Sequence, residues 1–362
     1  PHTATPMNTL ESQLLYPWAD ALPAPGTALE VAPGVRWLRM GLPFALDHIN
    51  LWLLRDRQPG PGGMVEGWTV VDCCVATEAA RAQWEAIFAT QLEGLPVLRV
   101  IVTHMHPDHI GLAHWLCQRW QAPLWISATD YFTARLACHA GPGLHSESAT
   151  DFYAAHGLRD PDFLAHVRGR SRYYPSLVPS VPDHFHRLLD GDCLRIGAHH
   201  WHCLSGYGHA PEHIALHCPD LGVLIGGDMV LSRVSTNVSV YANEPDADPL
   251  RLFLASLERM RALPPDTLVL PSHGRPFRGL HQRLDQLQAH HASHLHTVLA
   301  ACQRAPQSAA DILPLLFTRA LDAHQSTFAM GEALAHLHLL WHAGQLQRHT
   351  DSEGVLRFAP AA

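Results

Sequence analysis

The 362-residue chain contains no lysine; all 25 of its basic residues are arginine, which reads as a bias of genome composition. Against 33 Asp and Glu this leaves a formal net charge of −8. An acidic chain is poorly suited to nonspecific nucleic-acid binding, which rests on neutralising phosphates, so nucleic acid is disfavoured as a partner. No apolar run is long enough to span a bilayer, and no basic segment followed by an apolar core marks a secretory signal. No membrane partner is expected. The eight cysteines include no CxxC pair, and the adjacent Cys73 and Cys74 are badly placed for an ordinary disulfide. Reduced thiols and a cytoplasmic location are the expectation.

Histidine is the excess, at 29. Most serve packing or the surface. His199, His200 and His202 sit in a strand-like run, and His290, His291 and His294 along a helix-like one. The stretch "VTHMHPDHIG" differs: it places His104, His106, Asp108 and His109 within six positions. A short β-branched run, 97–103, precedes it and reads as a buried strand. Apolar residues at helical spacing follow it, from Ile110 to Trp120. The cluster therefore occupies a strand-to-helix loop, a place where a rigid scaffold presents functional groups. His104 and His106, two apart, can face one ion, while Asp108 and His109 at the helix start can serve a neighbouring one.

Two ions need more ligands than this loop carries. Three downstream strand-end positions offer them: His209 in "SGYGHAPEH", Asp228 in "VLIGGDMV" and His273 in "LVLPSHGRPF".

Strand-like runs at 30–72 are punctuated by the turn "PGPGG" (59–63) and followed by a helix over 77–91. Strands and helices then alternate, which predicts an α/β layered domain. Residues 139–186 break the rhythm with Gly, Pro, aromatic and arginine residues and read as an inserted lid. From 281 onward a long polar helix, a helix with Ser308 as N-cap, a third helix ending at Gly344 and a hairpin match a small winged-helix-like unit. That unit has five Arg against six Asp and Glu, so it lacks a DNA-binding face and reads as a structural or dimerising appendage. The expected division is a catalytic domain over 1–280 and a C-terminal unit over 281–362, with a homodimer among the expected assemblies.

On "THMHPDH", "GHAPEH", "GGD" and "PSHG", in that order, the sequence resembles the metallo-β-lactamase-fold hydrolases over roughly residues 30–280. Its C-terminal helices resemble those of a glyoxalase-II-like or β-lactamase-like subgroup. The resemblance implies a four-layer αβ/βα sandwich with the metals at one edge, between two sheets. It implies one metal held by His104, His106 and His209, a second by Asp108, His109 and His273, and Asp228 bridging them. Neutral imidazoles and carboxylates suit two divalent ions, zinc first, with iron or manganese as alternatives. A hydroxide shared by the two metals would attack an ester, thioester or lactone carbonyl of a small molecule, with Asp108 orienting it. A phosphodiesterase or ribonuclease of the same fold is the alternative, and a noncatalytic metal-binding protein a third reading. β-Lactamases of this fold generally lack a bridging aspartate like Asp228.

Asp72 occupies the place of the family's Asp-Thr-Gly aspartate, though Cys73-Cys74 follow it here, and would hold the metal loop from behind. Arg168, Arg170, Arg172, Tyr173 and Tyr174 of the insertion are candidates for contact with an anionic or aromatic substrate group. Tyr207, two residues before His209, is a candidate donor to the substrate oxygen.

Overall fold

Central strands of the chain are buried on both faces, and this forces a layered arrangement. In the computed structural model, which describes residues 9–139 and 147–361, β1 (Leu29–Ala32), β2 (Val35–Gly41), β3 (His48–Gly60) and β4 (Gly63–Val71) form an antiparallel meander. The register Gly60↔Gly63 leaves Pro61 and Gly62 as the hairpin tip, where the sequence predicts a turn. After α1 (Glu78–Thr90), β5 (Val97–Ile101) adds parallel to β4. Thr77 caps α1 by accepting from the Ala80 N–H, and the helix lays Trp84, Ile87 and Phe88 on the sheet.

The helix expected over 108–120 is two helices, α2 (Pro107–Ile110) and α3 (Ala113–Trp120). The break lies where the chain presses on the loop after β4. Leu112 N–H donates to the Cys74 carbonyl, and a Cβ on Gly111 would come within 2.6 Å of that oxygen. Next come β6 (Leu124–Ile126) and α4 (Ala128–Cys138), then α5 (Glu147–Ala155), α6 (Pro161–Gly169), a 3-10 turn over Arg170–Arg172 and α7 (Tyr173–Leu177). β7 (His186–Arg187) closes the seven-stranded sheet, whose order follows the chain.

The second sheet has the order β12-β11-β10-β9-β8. It comprises β8 (Cys193–Ile196), β9 (His199–Gly206), β10 (His213–Cys218), β11 (Val223–Gly227) and, after α8 (Pro249–Met260), β12 (Leu268–Pro271) parallel to β11. The two sheets bury Trp37, Trp52, Ile101, Trp201, Ile214 and Leu270 between them. Helices α1, α3, α4 and α7 cover the outer face of the first sheet. This is the αβ/βα sandwich.

The chain ends with α9 (Leu280–Arg304), α10 (Ala309–Leu316), α11 (Ala323–His342) and the hairpin β13 (Leu346–Thr350)–β14 (Leu356–Pro360). These elements share one hydrophobic cluster with α8 and the outer face of the second sheet, from Leu224 and Phe253 through Val298 and Leu334 to Phe358. Phe152, Tyr153, Phe163 and Val167 of α5 and α6 join the same cluster, whereas Tyr174 and Leu177 of α7 join the opposite outer layer. The inserted segment is thus anchored on both sides of the sandwich. Among the described residues no helix is long and apolar enough to cross a membrane.

Candidate metal centre

Each of the seven ligand candidates named in the sequence lies past the carboxyl end of a strand. His104 and His106 follow β5, Asp108 and His109 open α2, His209 follows β9, Asp228 follows β11 and His273 follows β12. Two backbone bonds lock the sheets together at this edge: Ile214 N–H to Thr103 O (2.8 Å) and Asn50 N–H to Ser272 O (2.7 Å). Asn50, fully buried, also donates to the Pro271 and Gly274 carbonyls and accepts from Trp37 Nε1.

The side chains form two adjoining groups. His104 Nε2 lies 2.9 Å from His106 Nδ1 and 3.2 Å from His209 Nε2, and Asp228 Oδ2 lies 3.3 Å from His209 Nε2. In the second group His273 Nε2 is 3.2 Å, and His109 Nε2 3.5 Å, from Asp108 Oδ2. Asp228 Oδ1 stands 3.5 Å from both His109 and His273. Asp228 therefore gives one oxygen to each group.

These distances fit metal. Ligand atoms about 2.0–2.1 Å from a tetrahedral ion stand about 3.3 Å from one another. His109 Nε2 and Asp228 Oδ1 are buried with no hydrogen-bond partner, a costly condition that a cation relieves. Burial, then the neighbouring rings, pushes His104 well below its usual range, and His106 falls to about 3 for the same reasons. Both are neutral, the form that ligates. Burial works against protonating His273, but Asp228 and Asp108 outweigh it and raise the ring to about 10. Protons there do for the carboxylates what a dication would do, and metal binding releases them.

Three of the remaining ring nitrogens are held from behind. His109 Nδ1 meets Asp72 Oδ2 at 2.8 Å, His209 Nδ1 the Asn237 carbonyl at 2.7 Å and His273 Nδ1 the His48 carbonyl at 2.7 Å. Asp72 Oδ1 accepts from both the N–H and the hydroxyl of Thr103. Asp72 adopts φ +62° and Cys74 φ +70°, the left-handed region where the family's glycine is at ease and a cysteine is not.

The structure separates the insertion residues offered as substrate contacts. Tyr174 is a correction: it is buried and donates its hydroxyl to the Met105 carbonyl at 2.6 Å, so it braces the metal loop. Arg168 and Arg172 are exposed. Arg170 is 8% exposed, lies 4.3 Å over the Tyr173 ring and donates to Thr327 Oγ1. Half-buried Tyr173 feels the charges of both Arg170 and Asp108. Tyr207 is half-buried, with its N–H on Ser256 Oγ.

Two buried residues escaped the sequence reading. Asp130 accepts from the N–H of Met105 (Oδ1, 2.7 Å) and of Glu212 (Oδ2, 2.6 Å), stapling the two histidine loops together. In sequence it shows only as a residue in the first turn of a helix. His213 packs 5.0 Å from the His104 ring and accepts from the Asp228 N–H. Gly227, at φ +54°, permits this contact, since a Cβ there would fall 2.1 Å from His213 Nε2. The second histidine of "GHAPEH" was its available signal.

The Metallo-beta-lactamase superfamily description matches residues 50–273, and the Metallo-beta-lactamase-like C-terminal domain description matches 295–361. The chain belongs to the metallo-beta-lactamase superfamily. A solved beta-lactamase domain protein from Burkholderia ambifaria is 55% identical, with TM-score 0.92 over 98% of this chain and 100% of its own. A probable metallo-hydrolase of Bacillus subtilis is 24% identical over 84% of this chain and 91% of its own length. A hydroxyacylglutathione hydrolase of Rhodobacter capsulatus is 30% identical over 30% of this chain and 45% of its own length.

Proposed function

We propose that this protein is a dinuclear metal-dependent hydrolase of a small ester, thioester or lactone that carries a negative charge. The observation that carries the reading is Asp228, whose two oxygens are divided between two complete ligand groups. His104, His106 and His209 would hold one ion, Asp108, His109 and His273 the other, and Asp228 both. Two divalent ions bound there, zinc or else iron or manganese, would polarise the scissile oxygen and lower the pKa of a water held between them. Asp108 is the more exposed of the two carboxylates, 17% against 10%, and so orients that water.

Arg170 supplies the charge preference. Among the described residues it makes no ion pair, and the titratable groups that act on it are the phenols of Tyr173, Tyr153 and Tyr241, which burial keeps protonated and uncharged. A buried, unpaired guanidinium is costly, and a substrate anion offsets that cost. The relative whose name specifies an acylglutathione substrate places thioesters first among the compounds to try.

The test is metal analysis followed by hydrolysis of acyl thioesters, lactones, β-lactams and bis-p-nitrophenyl phosphate, each carbonyl substrate in anionic and neutral form. The expected result is about two metal equivalents at this centre and preferential turnover of an anionic carbonyl compound. At most one equivalent after supplementation defeats the dinuclear site. Turnover confined to the phosphodiester supports the phosphodiesterase alternative instead.

A further inference from the structure

Away from this centre, α9 and α11 face each other across a group of histidines. His290 and His294 stand one turn apart on α9, so their rings share a face, with centroids 4.1 Å apart. Across from them on α11 is Glu332. One ring nitrogen of each histidine and one carboxylate oxygen of Glu332 all lie within 4.8 Å of one another.

All three side chains want a partner. His290 Nε2 and His294 Nδ1 are buried and make no hydrogen bond. Glu332 is 8% exposed, and burial alone pushes its carboxyl up to about 7. Among the described residues no ion pair or side-chain hydrogen bond reaches it. Apolar packing would not place a glutamate here, because a lone buried carboxyl costs stability. Two imidazoles and a carboxylate are a donor set that zinc accepts, with water completing the tetrahedron. The half-buried histidines leave that fourth position reachable by solvent.

The surroundings are ordered to support it. His336 Nδ1 lies 2.8 Å from the Glu332 carbonyl, and its Nε2 lies 3.2 Å from His291 Nδ1. The turn of α11 that carries Glu332 is thereby tied to α9.

We propose that His290, His294 and Glu332 form a further divalent-metal site, a zinc clasp between α9 and α11 that is separate from the hydrolytic centre. The clasp acts on the same helix that presents Thr327 to Arg170.

The test compares wild type with Glu332→Gln and with the double variant His290→Gln/His294→Gln. Each is stripped with chelator, reloaded with zinc, desalted and analysed for zinc and for Tm. Glutamine keeps the shape of Glu332 and removes only a charge that burial already suppresses, so that variant should fold. Both variants are expected to hold one zinc fewer than wild type. They should also lose part of the zinc-induced rise in Tm, with metal-free Tm close to that of wild type. Equal zinc content and an equal zinc-induced rise in all three chains would overturn the clasp; if the double variant does not fold, Glu332→Gln decides alone. The readout is a difference between chains, so it holds whether the hydrolytic centre takes two ions or one.

Discussion

Asp72 Oδ2 lies 2.8 Å from Nδ1 of His109, with both side chains all but sealed from water. The carboxylate fixes the ring so that Nε2 faces Asp108 and Asp228, and through Thr103 it also fixes the start of the metal loop. Asp72→Asn keeps the size and removes the charge that raises ligand basicity. Metal affinity at the second group should fall about 10–100-fold, the scale for losing such a supporting carboxylate. A competition titration against a coloured chelator measures it, and unchanged affinity would remove Asp72 from the metal site.

Asp130 joins loops that are far apart in sequence, with one oxygen on Met105 N–H and the other on Glu212 N–H. In Asp130→Asn an amide NH₂ must face one of these donors, leaving a buried N–H unpaired. The expected loss is about 1–3 kcal/mol, read from urea unfolding of metal-free protein. A loss below about 0.5 kcal/mol, the range of ordinary surface changes, would show that the staple is dispensable.

Arg170 and its exposed neighbours make opposite predictions. Arg170→Gln should raise KM for an anionic substrate by more than it lowers kcat, the signature of lost uniform binding. Arg168→Gln and Arg172→Gln should leave both parameters unchanged. Steady-state kinetics on matched anionic and neutral substrates separates the cases. An equal KM rise for the neutral compound would make Arg170 a packing residue.

Acid should destabilise the protein through its buried histidines. His156, His291, His336 and His338 are buried, and burial is the leading cause that lowers their pKa values to about 3, 2, 4 and 4 from 6.5. Below pH 6.5 the unfolded chain takes up protons that the folded chain refuses. The stability these rings contribute is therefore complete above pH 6.5 and drains away as pH falls toward 4. Each uncoupled ring accounts for up to about 1.4 kcal/mol per pH unit in that window. Urea unfolding of metal-free protein at pH 7.5 and 5.5 should show the fall, and His156→Phe should shrink it by about one such contribution. An identical pH slope in the variant would contradict the assignment.

The sequence by itself determined the metal-ligand candidates and the layered fold that presents them. Six consecutive positions held four of the ligand-type residues, the other three stood at the ends of buried strands, and both signals are local: spacing sets direction, and β-branched runs set strands. Only the tertiary structure decided what surrounds them. Asp130 between two loops and Tyr174 under Met105 each act on a residue that the chain brings close from well over ten positions away. The sequence offers Tyr174 as a substrate contact, whereas the fold puts its hydroxyl on the Met105 carbonyl. His290 and His294 read as packing in the sequence, and only the fold shows Glu332 of α11 opposite them. A side chain's type limits the bonds it can make, but which bond it makes depends on what folding leaves within about 3 Å of it, and no local pattern records that.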